Sequence, residues 1–289
     1  MLTRQKILLF MLKSAQRPVE RIELTKWCFL LRHESESNGG SSFYDFVPYR
    51  RGPFSFALYQ EIGRLEELNY IFADGERTWR LNPEMAQPIS GVGRTLENEV
   101  GTILAKHCSS STEQLLDYVY EKHPYYTINS ERRKLAERPK TEVGVYTAGY
   151  EGLSIDRFLN LLVENGIERL IDVRSNPVSR RYGFHKSTLT RLTRNIEIDY
   201  VHFPELGIHS ERRQGVPHGA DRGSMFAEYE RTTLASETDA LNHVSKLVRD
   251  RPSVLVCMES DPFCCHRSRL ASPLSELTRL PITHLRPLQ

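Results

Sequence analysis

The stretch "SVLVCMESDPFCCHRSRLASPL" at residues 253–274 joins an uninterrupted apolar run to a group of reactive side chains and then to a helical pattern. A run rich in valine, without polar alternation, is typical of a strand buried on both faces of a parallel sheet. Five functional side chains follow directly after this run: Cys257, Glu259, Cys265, His266 and Arg267. The stretch therefore predicts a strand-to-helix corner that carries chemistry.

The chain on either side of this corner alternates short β-prone runs with helical patterns from Val143 onward. The predicted strands are "VGVYTAGY", "IERLIDVRS", "DYVHFP", "SVLVCME" and "PITHLRP". Helical patterns separate them, among them "SIDRFLNLLVENG" with Ser154 as its expected N-cap. This alternation predicts an α/β fold, a Rossmann-like and mostly parallel sheet with helices on both faces. Ligands bind such sheets outside the carboxyl ends of the strands.

Polar side chains collect at these strand ends, and their convergence predicts a functional site. The candidates for substrate binding are Tyr150, Arg174, Arg180, His185, Lys186, Glu205 and Arg267. The arginines and the helix N-termini suit a phosphate-bearing ligand, although Arg174 could instead pair with a carboxylate and only hold its loop. Asp172 and Glu259 either form a general acid–base pair or neutralise the arginines.

The cysteines and His266 complete the candidate catalytic set of Asp172, Glu259, Cys265 and His266. Cys265 is expected at a helix N-terminus, a position that favours the thiolate, whereas Cys257 is expected to be a small buried side chain. A tyrosine-phosphatase loop needs a cysteine six residues before an arginine, and no such pair occurs here. A zinc site is the other interpretation of Cys257, Cys264, Cys265 and His266, but no Cys-x-x-Cys pair occurs, so no metal ligands are assigned. A Mg²⁺ ion held by Asp172 or Glu259 with a substrate phosphate stays open. No dinucleotide or P-loop motif is present, so no cofactor is expected.

Four separated blocks, "YTAGYEG", "IDVRSNPVSRRYGFHKSTL", "YVHFPELG" and "VLVCMESDPFCCHRSRLA", resemble the signature blocks of the domain of unknown function 488 family. The resemblance covers about residues 142–289 and implies a compact α/β domain without an assigned reaction. Tyr150 stands where the family pattern has a histidine, so a role of that histidine does not carry over.

The first half follows another pattern, in which three helices precede two short β-prone runs around Asp74-Gly75. This order predicts a mainly helical, winged-helix-like domain, with Ser55 capping the third helix. That helix carries Glu61 and Glu66, which a phosphate backbone would repel, so the domain binds either DNA or a protein partner. The candidate nucleic-acid contacts are Arg50, Arg51, Arg77 and Arg80.

The segment "FYDFVPYRRGPFSFALYQEIGRLEELNYI" is similar to the tyrosine–glycine–proline segment of the Panacea (antitoxin-like) domain. The resemblance covers about residues 1–130 and implies a recognition domain of the kind that is often fused to other modules. Residues 131–141, which are charged and lack aromatics, read as a linker to the domain at 142–289.

Composition limits the class of protein. The chain of 289 residues is 39% hydrophobic and 26% charged, which favours ordinary folded domains over disorder. The net charge of +2 does not by itself indicate a nucleic-acid partner. Five cysteines, an odd number, argue against a secreted disulfide framework, and no segment reads as a signal peptide or membrane span. We therefore expect a cytoplasmic protein.

Together these features predict a protein that processes a nucleotide or nucleic acid, as a hydrolase or glycosidase. The phosphate-accepting cleft would lie in the C-terminal domain, and the N-terminal domain would recognise DNA or a partner. The alternative is a non-catalytic DNA-binding or sensing protein that would serve bacterial defence.

Overall fold

The computed structural model describes residues 1–85, 91–209 and 223–287. The chain folds as two compact units, Met1–Glu137 and Arg138–Gln289, and each is described by itself. The boundary falls within the segment predicted as a linker, yet the charged side chains there are engaged. Arg132 pairs with Asp117 in the N-terminal unit, and Arg138 donates to the carbonyl oxygen of Ile196 in the C-terminal unit.

The N-terminal unit is mainly helical. Its helices are α1 (Thr3–Ala15), α2 (Arg21–Glu34), α3 (Phe56–Glu67), α4 (Arg94–His107) and α5 (Thr112–Lys122). Its strands are β1 (Val19–Glu20), β2 (Val47–Tyr49), β3 (Gly52–Phe54), β4 (Ile71–Ala73) and β5 (Thr78–Leu81). Ser55 caps α3 as predicted, since its side-chain oxygen accepts from the backbone nitrogen of Leu58 at 3.2 Å.

The strands β1, β5 and β4 form an antiparallel sheet in that order, while β2 and β3 form a separate hairpin. The first strand joins the sheet through Val19, which lies opposite Trp79. The order is α1, β1, α2, the β2–β3 hairpin, α3 and the β4–β5 hairpin, with α4 and α5 after it. It contains the three helices followed by a hairpin that the sequence predicts for a winged helix. The strand β1 itself was not predicted, because two residues are too few to show an alternating pattern. The second helix consequently starts at Arg21, three residues after Pro18.

The C-terminal unit alternates strands and helices. The strands are β6 (Val145–Gly149), β7 (Arg169–Asp172), β8 (Asp199–His202), β9 (Ser253–Cys257) and β10 (Ile282–Leu285). The helices are α6 (Ile155–Glu164), α7 (Lys186–Asn195), α8 (Gly223–Tyr229), α9 (Thr238–Asp250) and α10 (His266–Thr278). Ser154 caps α6, as predicted, by accepting from the backbone nitrogen of Arg157.

The five strands form one parallel sheet in the order β10-β6-β9-β7-β8, which confirms the predicted α/β class. On one face, Val145, Ile171 and Leu255 pack in a core with the buried side of α9 and α10. On the other face the alternating strand residues Leu170 and Val254 are also fully buried. The sheet is therefore covered on both faces, as its continuous apolar runs require.

Parallel pairing brings the carboxyl ends of the strands to one edge of the sheet. Gly149 lies opposite Cys257, and Asp172 lies opposite both Val256 and His202. The loop after β9 then crosses the end of β6 so closely that a Cβ added at Gly149 would lie 1.8 Å from the carbonyl oxygen of Glu259. Glycine is thus required at the end of β6 to let the loop that carries Glu259 pass.

Across the described ranges 1–85, 91–209 and 223–287, no helix has the length and apolar character needed to cross a bilayer.

We expect Gly149→Ala to lower the free energy of unfolding by about 1–3 kcal/mol, because the new methyl group collides with backbone atoms that have no flexible end. Chemical denaturation of the full chain measures this change. Gly101→Ala is the control, since nothing lies within 4 Å of a Cβ at this helical position, and it should leave stability equal or slightly higher. Equal stability of Gly149→Ala and the wild type would contradict the close approach of the loop.

Candidate functional site

A buried ion pair holds the carboxyl end of β7. Both carboxylate oxygens of Asp172 accept from the guanidinium of Arg174, at 2.8 Å from Nε and 2.5 Å from Nη2. The Tyr200 hydroxyl donates to the same carboxylate at 2.6 Å. Asp172 is fully buried and Arg174 nearly so. Both oxygens of the Asp172 carboxylate are therefore occupied by hydrogen bonds, from Arg174 and from Tyr200 of the neighbouring strand β8.

The remaining donor of Arg174 extends this pair to two other segments. Its Nη1 donates to the Tyr150 hydroxyl at 3.0 Å and to the carbonyl oxygen of Phe184 at 2.9 Å. The rings of Tyr150 and Phe184 stack with centroids 4.1 Å apart. Burial raises the pKa of Tyr150, so its hydroxyl stays protonated. The sequence candidates Tyr150, Asp172 and Arg174 are thus brought together, with their polar atoms directed at one another.

Four side chains at the corner after β9 form a second cluster, which we call the thiol cluster: Cys257, Glu259, Cys265 and His266. The Cys257 thiol lies 3.2 Å from Oε2 of Glu259 and 3.7 Å from Nδ1 of His266. The Cys265 thiol lies 3.8 Å from the same Nδ1. The two sulfur atoms and the imidazole nitrogen all lie within 4.8 Å of one another.

The orientation of His266 is fixed by the neighbouring strand. Its Nε2 lies 3.0 Å from the carbonyl oxygen of Val173, an acceptor, so this nitrogen carries a proton. Nδ1 then faces both thiols, either as a lone pair or as a second N–H. Burial acts to lower the pKa of His266, but the hydrogen bond and the charge of Cys265 outweigh it, so the pKa is raised.

The two thiols titrate in opposite directions. Burial acts to raise the pKa of Cys265, but hydrogen bonds from Cys257 and His266 and the charge of Arg267 bring it well below its usual value. The hydrogen bond to Cys265, together with burial, raises the pKa of Cys257. Burial also raises the pKa of Glu259. The cluster can therefore hold a thiolate at Cys265, and its donor atoms suit thiolate chemistry or a metal ion.

Cys265 is the N-cap residue of α10, as predicted. The next residue but one, Arg267, is almost completely buried, and its guanidinium donates to the carbonyl oxygens of Glu259 and Ser260. Its buried Nε has no acceptor among the described residues. Arg267 thus stabilises the loop that carries Glu259, and its guanidinium is not exposed to bind an anion from solvent.

The basic segment after β7 contributes exposed groups. Arg180, His185 and Lys186 are exposed, and α7 begins at Lys186. The ammonium of Lys186 donates to Nδ1 of His202 at 2.9 Å, which orients it. Glu205 is exposed in a short turn after β8. Of the predicted phosphate contacts in this unit, Arg180 and Lys186 are therefore accessible, whereas Arg174 and Arg267 are used within the protein.

The N-terminal unit has a cavity of about 450 Å³ between α2 and the β2–β3 hairpin, which we call the basic cavity. Its cationic lining consists of Arg21, Lys26, Arg50, Arg51 and Arg77. Its aromatic lining consists of Tyr49, Phe54 and Tyr59, and Glu20 and Glu131 are its acidic residues. Three of the four predicted nucleic-acid contacts therefore meet at one place, while Arg80 lies outside and pairs with Asp74.

Lys26 is the least expected member of the basic cavity. Its side chain is 2% exposed, and its ammonium donates to the carbonyl oxygen of Pro53 at 2.7 Å. Burial, aided by the charge of Arg51, lowers the pKa of Lys26 to about 7. Among the described residues no carboxylate forms an ion pair with Lys26, Arg51 or Arg77. The cavity thus has five cationic side chains against two acidic ones, of which Glu131 pairs with Arg50, so the described residues neutralise its positive charge only in part.

Sequence reasoning missed two of these groups. Lys26 sits within an amphipathic helical pattern, where a lysine ordinarily faces solvent, so no signal marked it. Cys257 was expected to be a small buried side chain, with a zinc ligand as the alternative; it is buried, and it also faces His266 and Glu259. The signal for Cys257 was its spacing of two from Glu259, because alternate residues of an extended chain point the same way.

We expect Asp172→Asn to lower the free energy of unfolding by about 3–5 kcal/mol, because it leaves the buried charge of Arg174 without its counterion. Urea denaturation of the full chain is the measurement. Asp199→Asn is the control in the neighbouring strand. Its ion pair with Arg251 is exposed and should be worth no more than about 1 kcal/mol. A stable Asp172→Asn protein that had lost an activity would instead assign Asp172 to chemistry.

Comparison with known proteins concerns only the C-terminal unit. No curated protein matches the chain, and no solved structure matches it. Residues 154–274, which run from the N-cap of α6 into α10, match the family model described as "Domain of unknown function DUF488", and this match supports the resemblance predicted for the C-terminal half.

Proposed function

We propose that this protein processes a nucleotide or a nucleic acid, with recognition in the N-terminal unit and the reaction in the C-terminal unit. The observation that carries the proposal is the basic cavity, where five cationic side chains and three aromatic rings line about 450 Å³. Arginines provide the planar donors that phosphate prefers, and aromatic faces stack on bases. A cavity of this volume is of the size that holds a small-molecule ligand or one nucleotide of a chain.

The charges of the basic cavity favour an anion in particular. A buried ammonium without a carboxylate partner is unfavourable, and a phosphate would supply the missing charge. Arg21 adds a second such group, since its Nε is buried and has no acceptor among the described residues. Its guanidinium also lies 5.0 Å from the centre of the Trp79 ring. Arg51 and Arg77 are exposed and would extend the contact along a phosphate backbone.

In the C-terminal unit the same chemistry supports a reaction site. Arg180 and Lys186 would hold a phosphate, and Glu259 would accept or donate a proton, since burial keeps its pKa above the usual range. Asp172 acts in this proposal by positioning, through Arg174 and Tyr150. Hydrolysis of a phosphate ester and release of a base from a sugar both suit these groups.

The alternative function is a non-catalytic sensor or DNA-binding protein, of the kind that could serve bacterial defence. It is favoured by the engagement of Asp172, Arg174 and Arg267 within the protein, because polar groups used to hold strands and loops are not available to a substrate. The basic cavity serves this function equally well. The resemblance of residues 1–130 to the Panacea domain also belongs to this proposal.

Binding to the basic cavity should depend on pH through Lys26. An anion prefers the charged ammonium, whose pKa is about 7, so affinity should rise as the pH falls from 8 to 6, by up to about tenfold. Fluorescence anisotropy with an unmodified single-stranded oligonucleotide is the measurement, because phosphodiesters do not titrate in this range.

In Lys26→Met the pH response should disappear, while in Arg80→Met, outside the cavity, it should persist. The cavity would be excluded as the binding site if Lys26→Met kept the full pH response.

The catalytic part of the proposal is tested by incubating the full chain with nucleoside triphosphates and with single- and double-stranded oligonucleotides, and following substrate mass. We expect conversion at substoichiometric protein, and a loss of about a hundredfold or more in Glu259→Gln. Glu197→Gln, an exposed position at the end of α7, should retain full activity. Binding without conversion would favour the sensor instead.

A further inference from the structure

The thiol cluster has the composition and the shape of a metal site. Among the described residues it is the group of histidine, cysteine and acidic side chains in which three donor atoms lie within 4.8 Å of one another. We propose that Cys257, Cys265 and His266 bind one zinc ion, with Glu259 facing the fourth coordination position. This inference concerns the metal alone and does not depend on the substrate proposed above.

The distances between the donor atoms match those around tetrahedral zinc. With Zn–S bonds near 2.3 Å and Zn–N bonds near 2.0–2.1 Å, the edges of the tetrahedron are roughly 3.5–3.8 Å long. The two sulfur-to-nitrogen distances, from Cys257 and Cys265 to Nδ1 of His266, are 3.7 and 3.8 Å. Oε2 of Glu259 lies 3.2 Å from the Cys257 sulfur. The two sulfur atoms lie within 4.8 Å of each other, so closing this edge to its tetrahedral length needs at most about 1 Å of side-chain movement.

The imidazole of His266 is oriented as a metal ligand requires. Both thiols approach the same nitrogen, Nδ1, while Nε2 donates to the carbonyl oxygen of Val173. Histidines that bind metals ordinarily donate their second nitrogen to a carbonyl or carboxylate, which fixes the ring and its tautomer. The backbone after β7 thus holds the ring with its free nitrogen toward the two sulfur atoms.

The charges of the cluster also call for a cation. Cys257, Cys265 and His266 are each at most 3% exposed, so thiolates there are removed from water. Buried thiolates beside a carboxylate are unfavourable unless positive charge lies between them. Zinc would displace the protons of the two thiols and neutralise the thiolates so formed, and Arg267 donates to the backbone carbonyl oxygen of Glu259. Two thiolates and an imidazole are donors that zinc favours.

The sequence does not assign this site, because seven residues separate Cys257 from Cys265 instead of the two to four of a usual ligand pair. Cys257 ends β9 and His266 begins α10, so the intervening loop brings together residues that no short ligand motif connects. The adjacent Cys264 is exposed and contacts Asp261 instead, which places it outside the cluster. Cys264 therefore provides a matched control for Cys265.

The test is the zinc content of the full chain, measured by inductively coupled plasma mass spectrometry after incubation with zinc and dialysis against a weak chelator. We expect about one zinc per chain in the wild type and in Cys264→Ser. Cys257→Ser, Cys265→Ser and His266→Ala should each retain about a tenth of that or less. Circular dichroism identifies any variant that has failed to fold.

A second measurement needs no variant. Cobalt(II) added to the reduced wild-type protein should give the visible bands of a tetrahedral site and near-ultraviolet bands from thiolate-to-cobalt charge transfer. Either of two results would overturn the proposal. The first is a wild-type chain that takes up no zinc, whether or not Cys257 and Cys265 have formed a disulfide. The second is a folded Cys257→Ser variant that retains as much zinc as the wild type. Neither result involves catalysis, so the proposed function is tested separately.

Discussion

The ion pair between Asp172 and Arg174 is the interaction on which the carboxyl edge of the C-terminal sheet depends. A charge pair removed from water is stable only when its remaining donors and acceptors are satisfied, and here they are. The hydroxyl of Tyr200, from β8, donates to Asp172, and Arg174 donates to the hydroxyl of Tyr150 after β6. Arg174 also donates to the carbonyl oxygen of Phe184, in the segment before α7. The pair therefore fixes three strand ends relative to one another, and the loops that carry the exposed cations are built on it.

Buried charge is handled in three different ways in this protein. The Asp172–Arg174 pair is neutralised within the protein, and Arg267 is satisfied mainly by backbone carbonyl oxygens. At Lys26 the described residues supply an ammonium without a carboxylate ion pair, and at the thiol cluster they bring two thiols and an imidazole nitrogen within 4.8 Å of one another. Because unpaired buried charge is costly, these two places are where a ligand or an ion adds the most stability. Charged groups that are satisfied within the protein thus belong to the structural framework, whereas those that are not mark the candidate sites.

The sequence predicted the elements better than the contacts between them. Apolar runs identified β7 and β9, and the predicted serine caps of α3 and α6 were confirmed. These features depend on only a few neighbouring residues, so the sequence alone is enough to predict them. The burial of Asp172 and Arg174 was harder to foresee, since the same two residues would suit an open anion site. Their separation by two positions in an extended segment was compatible with either arrangement. The corner after β9 was predicted to carry chemistry, but the distances within the thiol cluster required the fold. Lys26 depends on a contact with Pro53, a distant segment, so only the fold could reveal it.

The position of β6 within the sheet has a consequence for how the protein is made. Its two neighbours are β9 and β10, which follow it by more than a hundred residues. While the chain leaves the ribosome, β6 thus has no partner strand until nearly the whole unit has been synthesised. Contacts between such distant segments form slowly, and an unpaired apolar strand is exposed to aggregation in the meantime. We therefore expect the C-terminal unit to complete its sheet only after β9 and β10 have been synthesised.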